Sequence, residues 1–341
     1  MARRAQSIHR PVNWCVCGLS VLIHVIAFPE NSLAQSSSQI SLTMGLTSPR
    51  NTRDVVSKKP VSEYDYTVTY RYEIDMNAFD STSEYIVDYD LMRLEIGDNG
   101  LTHYYSTSAD RRDSIMFRAR MSTDNREGVD LDGWMPEGRF ALYEDTYLNW
   151  PEIGKLTVRM GFSDFEYEYE EPVPHMDWIF LDTVAKTVCG YRCLAAQTVF
   201  RGRHYTAWFA LDVPINAGPW KFCGLPGLIM AVEESSGVFS WEAVGIGAEH
   251  GDIYMLDPEY DCITNYVPCG VPRASIRRIS RKQALELEKR RWADPFGFLL
   301  SGSGSVRVIR KEGDKIVSDE GVTALNREKY VLPEVPALEL E

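Results

Sequence analysis

The stretch Tyr64-Asp65-Tyr66-Thr67-Val68-Thr69-Tyr70-Arg71-Tyr72-Glu73-Ile74 decides the fold class. Bulky apolar side chains at 64, 66, 68, 70, 72 and 74 alternate with polar ones, a period of two that fits a long strand buried on one face. Working outward, strands are expected over 84–96 and 101–106, joined by the turn Asp98-Asn99-Gly100. Others follow at 140–149, 155–162, 165–170, 178–188, 195–211, 228–234, 238–246 and 253–255. Segment 113–126 is mixed and reads as a short helix, and 128–138 as loop. The first convincing helix comes late, with Ser280 as its N-cap, Ala284, Leu287, Arg291 and Trp292 on one face, and Asp294-Pro295 as its stop. About ten strands against one clear helix predict a mainly β (α+β) protein. Its architecture is expected to be a large curved antiparallel sheet, a half-barrel, with one C-terminal helix.

The ends read differently. Arg3, Arg4 and Arg10 form a basic start, residues 12–28 are mostly apolar, and Ser32-Leu33-Ala34 places small residues where a signal peptidase reads them. Residues 1–34 are therefore expected to be a signal peptide cleaved after Ala34, and the protein to be periplasmic or secreted. The apolar stretch, interrupted by Asn13 and His24, is too short to span a bilayer, so no integral membrane protein is expected after cleavage. Residues 35–61 read as a flexible segment, 62–296 as one β domain, and 297–341 as a loosely ordered tail. A net charge of −13 argues against nucleic acid, whose phosphates demand a basic face, and against docking to anionic lipid through bulk charge.

A second stretch, Gly218-Pro219-Trp220-Lys221-Phe222-Cys223-Gly224-Leu225-Pro226-Gly227-Leu228-Ile229, carries two chain breaks around an apolar and aromatic set. Pro226 fixes φ and Gly227 tolerates positive φ, so 225–228 is expected to form a type II corner that leads into a strand. Upstream lie Gly190-Tyr191-Arg192-Cys193-Leu194-Ala195-Ala196 and Phe200-Arg201-Gly202-Arg203-His204-Tyr205-Thr206-Ala207-Trp208-Phe209. Downstream lies Phe239-Ser240-Trp241-Glu242-Ala243-Val244-Gly245-Ile246. In this order the segments resemble the GLPGLI family (Porph_ging domain) of exported bacterial proteins, tightly over 185–246 and more loosely over 62–292. The chain departs from the family at Leu194 and Ala195, where relatives often have two lysines. The resemblance implies export and a β-rich fold, and no reaction. Ala207-Trp208-Phe209 followed by Gly224-Leu225-Pro226 also resembles the end of periplasmic lipoprotein carriers, which implies the half-barrel form of the sheet. Motif and binding candidates are Gly202, Arg203, Tyr205, Trp208, Gly218, Pro219, Trp220, Phe222, Gly224, Leu225, Pro226, Gly227, Leu228 and Ile229.

Five cysteines follow the expected cleavage site, and in an oxidising compartment they are disulfide candidates. Cys262 and Cys269 flank a short loop and are expected to bond; either Cys189 or Cys193 is expected to reach Cys223. A metal site on Cys189 and Cys193 lacks a second ligand pair of suitable spacing, so neither metal nor cofactor is expected. His103, His175, His204 and His250 form no metallohydrolase spacing. Alternation with Phe165, Tyr167 and Tyr169 puts Glu166, Glu168 and Glu170, with Glu171 beside them, on a solvated strand face. The function expected is a non-enzymatic binder or escort of an envelope protein, peptide or apolar ligand. The alternatives are a hydrolase or thiol enzyme using Cys223 with His204 as base, and a structural envelope protein.

Overall fold

The computed structural model describes residues 19–24, 39–46, 58–75, 78, 88–111, 144–162, 165–256, 276–294, 306–312, 315–322 and 337–340. The strands are β1 (Leu19–His24), β2 (Gln39–Leu46), β3 (Lys58–Ile74), β4 (Asp88–Gly97), β5 (Thr102–Ser106) and β6 (Glu144–Leu148). They continue as β7 (Lys155–Phe162), β8 (Phe165–Pro172), β9 (Ile179–Val188), β10 (Tyr191–Phe200) and β11 (Arg203–Ala210). The last are β12 (Leu228–Glu234), β13 (Phe239–Leu256), β14 (Ile276–Arg278), β15 (Val306–Glu312) and β16 (Lys315–Val322). Helix α1 spans Arg281–Ala293.

Twelve of these strands make one open sheet in the order β14-β8-β7-β6-β5-β4-β3-β13-β12-β11-β10-β9. Two antiparallel meanders, β3 to β8 and β9 to β13, meet where the long β13 returns to pair with β3 from Phe239↔Ile74 to Leu256↔Lys58. The sheet is mixed rather than purely antiparallel, because β14 runs parallel to β8. β1, β2, β15 and β16 form a separate four-stranded sheet. Two of its strands lie in the span read as a loose tail, and β1 lies in the span read as a leader.

Side-chain bonds that skip strands fix the curvature. Trp241 Nε1 on β13 donates to Tyr104 Oη on β5 at 3.1 Å, and the Tyr70 hydroxyl on β3 donates to the Ile229 carbonyl on β12 at 2.7 Å. On a flat sheet such strands stand too far apart for these bonds, at about 4.8 Å per step. The concave face carries the aromatic core: Trp220 stacks on Trp241 at 6.2 Å between ring centroids, and Phe222 meets Tyr205 edge-on at 4.9 Å.

The alternation read in β3 holds from Val68 to Ile74, all buried at even positions. It breaks at a bulge between Tyr64 and Tyr66, which leaves Tyr66 48% exposed. The Asp98-Asn99-Gly100 turn has positive φ at both Asn99 and Gly100, the backbone of a type I′ hairpin. Helix α1 starts as expected: Gln283 N–H donates to Ser280 Oγ, and Ser280 N–H donates to Gln283 Oε1, a capping box.

Two expectations need correction. The single strand over 195–211 is a hairpin, β10 and β11, turned by Arg201 and Gly202 at φ 50 and 76. Buried positions change from even (Thr198, Phe200) to odd (Tyr205, Ala207, Phe209) across that turn. The corner at 225–228 does not depend on positive φ at Gly227. A Cβ there would lie 2.1 Å from the Ala210 carbonyl oxygen, so the glycine is required by close backbone approach, whereas the left-handed residues are Trp220 and Gly224. We expect Gly227→Ala to cost about 1–3 kcal/mol, the usual range for overpacking. Leu225→Ala and Leu228→Ala, both buried, should cost about 2–5 kcal/mol. Gly245→Ala, where a Cβ meets nothing within 4 Å, serves as the control. Urea unfolding of the four variants checks this; a Gly227→Ala midpoint equal to that of Gly245→Ala would contradict it.

Candidate functional site

The connection from β11 to β12 crosses the concave face and is pinned on both sides. Leu228 N–H donates to the Val213 carbonyl at 2.9 Å and Ile229 N–H to the Ala217 carbonyl at 2.9 Å. Thr146 Oγ1 on β6 donates to the Trp220 carbonyl, and Trp178 Nε1 to the Cys223 carbonyl. Gly218 has no room for a side chain, since a Cβ would lie 2.9 Å from Ile229 Cβ. Leu225, Leu228 and Ile229 are buried and Pro226 is exposed. The motif is thus a rigid corner, and it drives Lys221 into the interior.

The Lys221 side chain is 0% exposed. Its ammonium donates to Tyr169 Oη at 2.8 Å and Glu171 Oε1 at 3.2 Å, both on β8, and to Glu339 Oε1. It also lies 5.2 Å from the Trp220 ring centroid and 5.3 Å from that of Tyr169. Arg201, from the β10–β11 turn, reaches Glu171 Oε2 at 2.5 Å, and Arg281 at the start of α1 pairs with Glu339 Oε2. Trp220 Nε1 donates to Glu144 Oε1 on β6 at 3.0 Å. Five separate pieces of chain converge on one buried charge: β6, β8, the hairpin turn, α1 and residues 337–340.

The last piece lies along the hairpin turn, with a bend at Leu338. Arg203 donates to the Ala337 carbonyl at 2.6 Å, and Leu340 N–H donates to the Arg201 carbonyl at 3.1 Å. Leu338 packs on the core, and a Cβ at Gly202 would lie 2.9 Å from Leu340 Cβ. Gly202 therefore serves both the left-handed turn and the close approach of this strip.

Burial alone would pull the Lys221 pKa down, but Tyr169, Glu339, Glu144 and Glu171 outweigh it, so it stays above the ordinary lysine value. Burial pushes Glu339 up, but Lys221 and Arg281 hold it below the usual carboxylate range. Glu144 is pushed up to about 7, chiefly by burial against the pull of Lys221, with Glu288 and Glu339 adding repulsion.

Other candidates sit elsewhere. Tyr205 is buried beneath Phe222, and Trp208 carries Lys186 Nζ 3.8 Å over its ring. Cys189, Cys193 and Cys223 are free thiols, so the expected bridge to Cys223 is absent. Their sulfurs point to separate carbonyls, those of Ala243, Tyr191 and Pro174, and Cys193 and Cys223 are buried in different apolar clusters. Cys262 and Cys269 lie outside the described residues. His204 faces outward opposite the exposed Val199, away from the cluster that holds Cys223. Burial pushes the Cys223 thiol up to about 11. No group of His, Cys, Asp or Glu among the described residues could hold a metal ion. No described helix is long and apolar enough to cross a membrane.

A second polar set lies on the other face: His103 Nδ1 is 3.2 Å from Glu95 Oε2, and its ring is stacked between Tyr105 and Tyr147. The acidic face expected on β8 is not uniformly solvated. Glu168 is buried against Arg159, and Glu171 belongs to the Lys221 nest. The candidate set omits Lys221, Glu171, Arg201, Arg281 and Glu339. Of these, only Lys221 carried a local signal, a lone cation between Trp220 and Phe222 inside a doubly broken apolar run.

Fold and site together define a β-rich protein with a curled open sheet and a buried charge nest at one end of its concave face. Residues 192–231 match the model of a family described as a protein of unknown function (Porph_ging). That span runs from the second residue of β10 through β11 and the connection with Lys221, so it includes Arg201 and Lys221 of the nest. Two solved structures of PNGF-II, in C2 and P21 space groups, are similar at 11% identity and a TM-score of 0.39. Each match covers 66% of this chain and 32% of the other, so the chain spans about a third of that protein's length. No curated protein matches.

The carboxylates of the nest set a pH dependence with a definite sign. Glu339, with its folded pKa depressed, adds stability above the ordinary carboxylate value of 4.5 and loses it as pH falls through the folded value. Glu144 does the opposite: raised from 4.5 to about 7, it binds a proton more tightly when folded and subtracts stability as pH rises through that window. Glu144→Gln keeps the acceptor for Trp220 and removes the charge. It should raise the melting temperature at pH 8 and leave it nearly unchanged at pH 4; circular-dichroism melts at both pH values check this, and no gain at pH 8 would contradict it.

Proposed function

We propose that this is a non-catalytic, exported binding protein of the cell envelope, periplasmic or secreted, that receives a short, non-helical polypeptide segment of a partner. The receiving surface is the β10–β11 turn together with the 218–227 corner. One observation carries the reading: residues 337–340 lie there as a bound peptide would. Their backbone is anchored in both directions, by Arg203 on the Ala337 carbonyl and by the Arg201 carbonyl on Leu340 N–H. Backbone hydrogen bonds of this kind recognise polypeptide rather than an apolar lipid chain. Export is supported by the basic start, the apolar stretch and the small residues before Gln35. A binding rather than catalytic role is supported by the buried Cys223 thiol, which stays protonated at neutral pH and is a poor nucleophile.

A photo-crosslinking amino acid at the exposed Val199, beside this turn, tests the reading in the producing cell's envelope. We expect a protease-sensitive adduct with a second polypeptide that is lost when Arg203→Glu is added. Adducts with lipid alone, or a polypeptide adduct indifferent to Arg203→Glu, would overturn it.

A further inference from the structure

We infer that Lys221, Arg281 and Arg201 form a carboxylate-recognition pocket for an acidic segment flanked by apolar residues, held in the folded chain by its own Glu339 as a displaceable occupant. This deepens the reading above, on which it rests, by giving the chemistry of the partner and the means of its control. Among the described residues, Lys221, Arg201 and Arg281 all lie within 4 Å of the carboxylates of Glu171 and Glu339. Glu171 belongs to β8 and is part of the scaffold. Without Glu339 the fully buried Lys221 ammonium keeps one carboxylate within 4 Å, Glu171, which Arg201 and Arg281 also engage, so a second anion is favoured at that position.

The occupant is of a different kind from the scaffold. Residues 337–340 belong to no helix or strand, and Glu339 lies 118 positions from Lys221 and 58 from Arg281 in sequence. Their pattern is apolar-Glu-apolar: Leu338 packs partly buried on the core, Glu339 enters the nest, and Leu340 stays 59% exposed over Gly202. Two backbone hydrogen bonds, one carboxylate and one partly buried leucine are a small anchorage, within reach of a competing segment of the same pattern. Tethering gives the chain's own segment an effective concentration of about millimolar, so it excludes weak competitors and yields to tight ones.

The test uses the full chain and a fluorescein-labelled hexapeptide, Pro-Ala-Leu-Glu-Leu-Glu, followed by fluorescence anisotropy. We expect Glu339→Gln to bind the peptide at least about tenfold more tightly than the parent, the worth of roughly one charge-assisted hydrogen bond. The peptide with Gln at its first Glu should lose at least about tenfold against the same variant. The double variant Lys221→Met, Glu339→Gln should not bind. Hydrogen–deuterium exchange on the parent gives a check that needs no variant: excess peptide should speed exchange in residues 337–341. Equal affinity in parent and Glu339→Gln, binding indifferent to Lys221, or peptide bound with exchange of 337–341 unchanged would each overturn the inference while leaving a peptide binder. If neither the parent nor folded Glu339→Gln binds either peptide, the inference fails as well, and the crosslinking at Val199 then decides the broader reading separately.

Discussion

One ammonium group, that of Lys221, has no access to water and must find its charge partners inside the protein. Transferring a charge of this size into an apolar interior costs several kcal/mol even after relaxation, so the fold is constrained to bring acceptors to it. They come from β8, far in the sheet order from the β11–β12 connection that carries Lys221, as Tyr169 and Glu171, and from Glu339 118 positions along the chain. The two ends of the curled sheet are thereby tied across the concave face, with Arg201 and Arg281 closing the circuit around the carboxylates. Each cation pairs with both Glu171 and Glu339, so removing one member changes the charge balance of all the others and the nest acts as a unit.

The glycines and aromatics around it are consistent with this role. Gly218 and Gly227 let the β11–β12 connection lie against Ile229 and the Ala210 carbonyl, too close for any side chain. Trp220, held at positive φ, stacks on Trp241 and offers its indole N–H to Glu144. The corner therefore has one consequence for function: it fixes where the Lys221 ammonium sits.

Much of the fold was legible in the sequence because period-two alternation is a local property of the chain. β7 and β12 were read within a residue of their bounds, and α1 was marked by Ser280 and the stop at Asp294-Pro295. The hairpin at Arg201-Gly202 was missed because a two-residue turn interrupts alternation only by a change of phase, from Phe200 to Tyr205. Gly227 was assigned to a conformation when the reason is a neighbour, the Ala210 carbonyl, that no local pattern reveals. The nest was illegible for the same reason. Glu171, Arg281 and Glu339 look like ordinary surface charges in their own segments, and only the three-dimensional path brings them to Lys221. The thiols follow suit: the spacing of Cys189, Cys193 and Cys223 permitted a bridge that the fold does not make, with Cys189 exposed and Cys193 and Cys223 buried in different clusters.

The central claim is that Lys221 and Glu339 are energetically coupled across the 118 positions that separate them. A double-mutant cycle with Lys221→Met and Glu339→Gln, read by urea unfolding at pH 7, measures that coupling directly. A coupling of about 1–3 kcal/mol is expected, with the double variant less destabilised than the sum of the single ones. Additivity within about 0.5 kcal/mol would mean that the two charges do not act on one another, and would contradict the account.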